Sequence, residues 1–425
     1  RTAEGALAGV LEHDADGSGA AVLAALAKLA KAVAAELVAG GLTIIGITGS
    51  SGKTSTKDLV AAVLEPLGEV IAPPGSFNNE LGHPWTVLRA THRTDYLVLE
   101  MSARHPGNIA ALAEIAPPAI GVVLNVGTAH LGEFGSRESI ARTKAELPQA
   151  VPSSGAVILN VDDPVVAAMA YVTTAWVVRV SRSSHTEAGS SDVWADNVSL
   201  DELARPRFTL HALDKAAEVR LGVYGDHQVT NALCAGAVAL QCGASVEQVA
   251  AALARTGPVS RHRMQVSTRA DGVTVIDDAY NANPDSMRAG LQALAWIAHD
   301  GNEQNQRPRR SWAVLGEMAE LGDDAIAEHD RIGRLAVRLD VSRLVVVGSG
   351  RSMSAMHHGA VMEGSWGTEA VSVADSDAAL ALLRAEVKPG DVVLVKASNA
   401  AGLGALADAL ASDIPGAGAA GGTRP

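Results

Sequence analysis

Lys53 and Thr54 close the run Ile45-Gly-Ile-Thr48-Gly49-Ser50-Ser51-Gly52-Lys53-Thr54. Glycines at 49 and 52 let the backbone turn so that its N–H groups face an anion. A helix beginning at this point adds the partial positive charge of its first turn. The Lys53 ammonium is then placed for the β- and γ-phosphates of a nucleotide, and the Thr54 hydroxyl for Mg²⁺. The strict phosphate-loop pattern has glycine where Ile47 stands. Position between an apolar run and a helical pattern supplies the context the motif requires. These residues point to nucleoside triphosphate binding.

Other residues are ambiguous when taken singly. Glu100 ends the apolar run Tyr96-Leu-Val-Leu-Glu100, where a carboxylate at the carboxyl edge of a sheet would make a second Mg²⁺ contact or simply face solvent. His130, in Asn125-Val-Gly-Thr-Ala-His130, is by default a loop or core histidine. Lys144, in Arg142-Thr-Lys144-Ala-Glu146, is by default a solvated helix lysine. Asn231 alone would cap or pack within a helix, and Asp278 alone would serve a turn. Asp14-Ala-Asp16-Gly-Ser18-Gly19 opens like a calcium loop, but its twelfth position is Ala25 rather than a bidentate glutamate. A turn is the better reading. Gly348-Ser-Gly350 after an apolar run lacks the third glycine of a dinucleotide fingerprint and reads as a strand-to-helix turn.

The elements that must position these groups follow an α/β pattern. The chain has 425 residues, a length that suits two or three domains. Aromatics are only 3% while glycine reaches 42 copies, a balance suited to parallel Val/Ile/Leu strands between alanine-rich helices and not to an aromatic-rich sandwich. Short apolar runs at 42–47, 96–100, 120–125 and 156–160 predict strands buried on both faces. Helices are predicted at 55–67 and 227–240, a polar loop at 181–191, and a β-rich excursion at 193–223. Arg255 to Arg263, with Gly257 and Pro258, is the candidate hinge. Beyond it strands at 273–277, 312–315, 344–347 and 392–396 alternate with helices at 285–298 and 325–339, a second doubly wound unit. The formal charge of −13 argues against a nucleic-acid backbone as partner. Two cysteines suit a reducing, cytoplasmic compartment. The alanine-rich stretch at 20–37 is broken by Lys28, Lys31 and Glu36, so no membrane span is expected.

Taken together, the motifs resemble the Mur ligases of peptidoglycan synthesis. The resemblance is carried by Thr48 to Thr54, Glu100, the segment 125–131, Lys144, Gly225-Asp-His227-Gln-Val-Thr-Asn231, Arg263-Met264 and Asp277-Asp278-Ala-Tyr-Asn-Ala-Asn-Pro284. It covers essentially residues 40–412. Within the family, Gly75-Ser-Phe-Asn78-Asn79-Glu-Leu-Gly82 and Leu315-Gly-Glu317-Met-Ala-Glu-Leu-Gly322 look like the member that joins D-alanyl-D-alanine to UDP-N-acetylmuramoyl-tripeptide.

The resemblance implies a central P-loop ATPase domain with a mostly parallel sheet at 41–260 and a C-terminal Rossmann-like α/β domain at 261–425. It implies that 1–40 is the remnant of an N-terminal domain and a linker helix; separately, the Gly/Ala/Pro composition from 414 predicts a flexible tail, and a monomer is expected. ATP and Mg²⁺ are the implied cofactors. Family members carry a front domain of roughly one hundred residues that grips the uridine diphosphate, so most of that domain is expected to be missing here.

Implied roles can be set residue by residue. Thr48, Gly49, Ser50, Ser51, Gly52, Lys53 and Thr54 bind ATP; Asn231 contacts adenine and Asp278 ribose. Thr54, Glu100 and His130 hold metal. Lys53, His130, Lys144 and Arg263 are catalytic, with Lys144 resembling the family lysine that can be carbamylated. Asn78 and Asn79 position the UDP-muramoyl peptide. Ser76 and Asn399 depart from the family pattern, which often has Asn and Arg there. A Mur-type ligase with another amino-acid substrate, or a P-loop ATP hydrolase or switch, stays open as an alternative.

Overall fold

The computed structural model describes residues 19–127, 131–299, 309–364 and 367–413. Two α/β bodies follow one another along the chain. The first is built on a nine-stranded sheet in the order β11-β10-β9-β6-β5-β4-β1-β3-β2. Its parallel part comprises β1 (Thr43–Thr48), β2 (Val70–Ile71), β3 (Tyr96–Glu100), β4 (Ile120–Val123), β5 (Ala156–Asn160), β6 (Trp176–Ser181) and β9 (Val193–Leu200). The expected β-rich excursion is an antiparallel extension of this sheet, in which β10 (Pro206–Ala212) pairs with β9 and with β11 (Lys215–Arg220). The expected polar loop at 181–191 holds a small hairpin of β7 (His185–Thr186) and β8 (Gly189–Ser190).

Apolar pattern explains the layers. Alternate residues of β1 face opposite sides of the sheet. Ile45 and Ile47 pack with Leu59, Val60 and Val63 of helix Lys53–Leu64, and with Ala232 and Val238 of helix Gln228–Gln241. Ile44, with Leu97 and Leu99, packs on the other side under Ala30, Ala34 and Leu37 of helix Ala20–Ala39. Strands covered on both faces must be apolar throughout, which is why these runs do not alternate. The order β4-β1-β3 matters most for function. All three strands are parallel, but β2 and β3 are laid down on one side of β1 and β4 and β5 on the other, so the crevice beyond its carboxyl end is a topological switch point where ligands bind in open α/β sheets.

The second body carries a six-stranded sheet, order β12-β13-β17-β14-β15-β16. β12 (Gln265–Thr268) is antiparallel to β13 (Thr274–Asp277); β17 (Val392–Lys396), β14 (Ser311–Leu315), β15 (Arg343–Val347) and β16 (Ala370–Val373) continue in parallel. Helix Pro284–Ala298 starts from a reciprocal cap, Asn283 with Ser286, with Pro284 in the first turn. Helix Arg351–Glu363 follows directly on Gly350, so Gly348-Ser-Gly350 is the expected strand-to-helix turn.

Helix Val246–Arg255 ends where the candidate hinge begins, and β12 starts two residues after it. The expected helix at 55–67 runs instead from Lys53 to Leu64. It begins earlier because Gly52, at φ +83°, sets the entry, and it stops ahead of Pro66, which has no N–H to continue the helical hydrogen-bond ladder. Among the described residues, no helix is long and apolar enough to cross a membrane. The expected calcium-like turn at 14–19 and the expected tail from 414 lie outside the described residues, save for Gly19.

Candidate active site

The loop between β1 and helix Lys53–Leu64 is gripped by Asn125. Its Oδ1 accepts from the N–H groups of Ser50 (2.9 Å) and Ser51 (3.0 Å), and its Nδ2 donates to the Ser51 carbonyl (3.2 Å). The Ser50 hydroxyl in turn accepts from the Gly127 N–H at 2.9 Å. Two loops at the switch point therefore hold each other. Gly49 must be glycine, since a Cβ there would sit 2.9 Å from Leu124 Cβ. At Gly52 a Cβ would meet Asn231 Oδ1 at 2.8 Å, and the positive φ adds strain for any other residue. Asn231 thus packs against the turn; its Nδ2 donates to Gln228 Oε1 at 2.9 Å. The Thr48 hydroxyl is buried and unpartnered.

Lys53 opens the helix and curls back, donating to the Gly49 carbonyl at 2.6 Å. Burial pulls its ammonium down to about 8, against the upward pull of Glu100 and with Arg263 lowering it further. Glu100 is wholly buried. Its Oε2 accepts from Thr54 Oγ1 (3.3 Å), Ser76 Oγ (3.3 Å) and, at the limit, Asn78 Nδ2 (3.5 Å). Among the described residues, its Oε1 has no hydrogen-bond partner. A buried carboxylate oxygen without a donor is costly, and beside a threonine hydroxyl it is the donor set a hard divalent cation takes. The residues present fit Mg²⁺.

Arg263 enters this cluster from the second body. Its Nη2 donates to Thr54 Oγ1 at 3.2 Å, and its guanidinium stacks 4.2 Å over the Tyr280 ring. Its Nε is buried without an acceptor among the described residues. The segment holding it is clamped on both sides. His262 Nδ1 pairs with Asp277 Oδ2 at 2.7 Å, and the Met264 N–H donates to Asp278 Oδ1 at 3.1 Å. His262 and Met264 both carry positive φ, 56° and 50°. Asp278 also receives the buried Lys396 ammonium, which donates to the Asn281 carbonyl at 2.9 Å as well. Burial lowers the Lys396 pKa, with Asp278 opposing that shift.

Lys144 departs from its default reading. It lies on helix Arg137–Ala150 but is buried, and no carboxylate among the described residues pairs with it. Burial holds its pKa well below the ordinary lysine value, and the charge of nearby Lys53 adds to the effect. Asn78 points toward Ser76 and Glu100, its Nδ2 donating to Ser76 Oγ at 2.9 Å. Asn79 does local work, its Oδ1 accepting from the Gly82 N–H at 2.9 Å at the start of helix Gly82–Val87. His83 in that helix is buried, and burial pushes its pKa down to about 4, so the ring is neutral. The carbonyls of Glu100 and Leu112 lie near enough to oppose that shift, but neither ring nitrogen reaches hydrogen-bonding geometry. His130 lies outside the described residues.

The two bodies enclose a cleft of about 1040 Å³, lined by Lys53, Asn78, Asn79 and Asn231 from one side and by Arg263 and Asp278 from the other. Further contacts bridge the bodies at the rim. Arg104 pairs with Glu320 at 3.2 Å, the Ser260 N–H donates to Asp58, and Gly132 meets Gly322 backbone to backbone. Sequence reasoning left Asn125, Ser76, Tyr280 and Lys396 without roles in this network. Asn125 and Tyr280 lie inside matched motifs, but their partners are remote in sequence. Ser76 was visible only as a departure from pattern.

A glycine-containing loop facing an arginine from a second α/β body suits an ATP-dependent ligase of the Mur type. Residues 47–239 match the Mur ligase middle domain and residues 262–399 match the "Mur ligase, glutamate ligase domain"; the chain belongs to the Mur ligase family. The UDP-N-acetylmuramoyl-tripeptide–D-alanyl-D-alanine ligase of Mycobacterium tuberculosis (strain H37Rv) is 82% identical over 418 residues, which span 96% of this chain and 80% of that protein. Among solved structures, MurF from Acinetobacter baumannii superposes with a TM-score of 0.80 at 30% identity, covering 92% of this chain and 81% of that one. The MurF ligase of Thermotoga maritima in complex with ADP gives 0.77 at 29% identity, covering 92% and 83%.

Proposed function

We propose that this chain is an ATP-dependent amide ligase that joins D-alanyl-D-alanine to UDP-N-acetylmuramoyl-tripeptide in the cytoplasm. The observation that carries the reading is the meeting of Thr54 and Glu100 of the first body with Arg263 of the second. A phosphoryl group transferred there is surrounded by donors from both bodies. The name borne by relatives as similar as the M. tuberculosis protein supports the choice of dipeptide and tripeptide.

In this reading the first body is the P-loop ATPase and the second the Rossmann-like domain, with the division near residue 260. The N–H groups of the 48–54 loop cradle the phosphates, and Asn231, against Gly52, sits at the adenine side. Thr54 and Glu100, with His130, would hold Mg²⁺, which when bound offsets phosphate charge. The terminal carboxylate of the tripeptide attacks the γ-phosphorus, ADP leaves, and an acyl phosphate forms. The dipeptide amine then attacks the acyl carbon, the C–O bond to phosphate breaks, and the amine gives up a proton. Lys53 and Arg263 are placed to stabilise charge on the transferring group. Arg263 belongs to the second body, so this stabilisation needs the cleft closed. Phosphate release by the purified chain, followed with ATP, UDP-tripeptide and D-Ala-D-Ala singly and together, tests the reading. Release should require all three; release with ATP alone at the full rate would establish the hydrolase alternative instead.

A further inference from the structure

Asp285 is an exposed carboxylate, without a partner among the described residues, at the mouth of the phosphate loop. It stands in the first turn of helix Pro284–Ala298, on the second body, yet its Oδ2 lies against Gly127 of the first. The approach is close enough that a Cβ on Gly127 would come within 2.1 Å of it. The same Gly127 donates its N–H to Ser50 Oγ in the phosphate loop. Among the described residues, Asp285 makes no hydrogen bond or ion pair. Acidic residues favour a helix's first turn for their effect on the dipole alone, but that preference does not require contact with the opposite body.

Charge in the cleft gives this carboxylate a task. Phosphates are met by Lys53 and Arg263. The acyl acceptor, by contrast, arrives as an ammonium, since an α-amino group has a pKa near 8, and it needs a negative group to hold it. The other acidic residues in or beneath the cleft, with Glu100 buried under it, are mostly committed. Glu100 receives Thr54 and Ser76, Asp278 receives Lys396 and Met264, and Glu320 pairs with Arg104. Glu80 and Asp285 are left, and of the two only Asp285 is carried to the phosphate loop by the second body.

Resting on the ligase reading above, we infer that Asp285 binds the ammonium of the incoming dipeptide and is a determinant of selectivity for a free amine. It orients the nitrogen beside the loop that holds the γ-phosphate, and it is in place only when the two bodies are together. One charge-assisted hydrogen bond at a partly exposed site corresponds to about a tenfold change in apparent affinity.

The test compares D-Ala-D-Ala with propionyl-D-alanine, the same molecule without its amine, used as an inhibitor of phosphate release by the full chain. Asp285→Asn should raise the KM for D-Ala-D-Ala about tenfold or more. The KM values for ATP and UDP-tripeptide, and the inhibition constant of propionyl-D-alanine, should stay within about twofold of wild type. Asp285→Glu should restore part of the loss, and Glu80→Gln should leave the preference for the amine intact. The inference is overturned if Asp285→Asn weakens propionyl-D-alanine as much as the dipeptide, which marks a purely structural role. An unchanged dipeptide KM in Asp285→Asn, or loss of amine preference in Glu80→Gln, also overturns it. Wild-type phosphate release that ignores D-Ala-D-Ala overturns the ligase reading, and this one with it.

Discussion

Replacing Arg263 with alanine tests whether the second body takes part in catalysis. The substitution removes a guanidinium that donates to Thr54 Oγ1 at 3.2 Å and rests 4.2 Å above Tyr280. It also removes a buried Nε that has no acceptor among the described residues, a donor suited to an anionic oxygen. Loss of one donor aimed at developing charge reduces kcat by roughly 100- to 1,000-fold. Arg263→Lys keeps the charge but not the planar fork or the stack, so it should recover only part of this. The Tyr280 platform can be separated from the charge. A cation–π contact of this kind is worth about 0.5–2 kcal/mol, so Tyr280→Ala should lower kcat by roughly 2- to 30-fold, while Tyr280→Phe, which keeps the ring, should be near wild type. Coupled phosphate release at saturating substrates gives kcat, and calorimetry with a non-hydrolysable ATP analogue gives affinity. Affinity should change little, because the 48–54 loop belongs entirely to the first body. An Arg263→Ala protein that keeps more than a tenth of wild-type kcat would show that the contact with Thr54 is only structural.

Other expectations concern the buried lysines and the rim. Lys53→Met should abolish turnover yet stabilise the ligand-free fold. A lysine held at about 8 instead of 10.5 destabilises by at most about 3 kcal/mol, less its partial exposure. The folded state binds fewer protons than the unfolded state between those values, so the penalty is complete below pH 8 and fades toward pH 10.5; urea denaturation at pH 7 and pH 10 that shows no gain for the variant at pH 7 would contradict this. Lys144, neutral more readily than an ordinary lysine, should accept CO₂, and turnover in CO₂-depleted buffer should fall and return with bicarbonate; indifference to bicarbonate would leave it an unmodified amine. Gly132→Ala places a Cβ 2.5 Å from the Gly322 backbone nitrogen, so kcat should drop about tenfold from hindered closure, with ATP-analogue affinity unchanged; equal loss of both would mean the first body itself was damaged.

Which parts of this were legible in the sequence follows from the range of the forces involved. Strands β1, β3, β5 and β17 are legible because burial on both faces demands contiguous β-branched and aliphatic residues. The 48–54 loop is legible because a turn, a lysine and a helix start are all encoded within ten residues. Helix Arg351–Glu363, with Ser, Met and His mixed through it, gives no clean apolar stripe, and only the turn at 348–350 announces it. Lys144 shows a subtler limit. Its neighbours announce a helix, but whether position 144 faces water or Lys53 depends on how that helix rolls against β4 and β1. The bond between Arg263 and Thr54 spans 209 residues, and no local pattern could announce it.

The same long-range geometry explains why the site is expensive to fold. Lys144 is buried and further depressed by the charge of Lys53, Lys53 is itself lowered by burial and by Arg263, and Glu100 keeps one oxygen without a donor among the described residues. Each of these is unfavourable in isolation, since a buried charge is tolerated only when paired. Together they have the sign pattern a triphosphate and a divalent cation would satisfy, with cations around the phosphates and a carboxylate for the metal. The surrounding framework bears this cost through apolar strands and through clamps such as Asn125 on the loop and Asp277 with Asp278 on the hinge. On the ligase reading proposed above, the anion-binding donors are divided between two bodies, so binding energy from the phosphates would draw the bodies together. Closure and charge neutralisation would then be one event, and chemistry would be confined to the complex in which both have occurred.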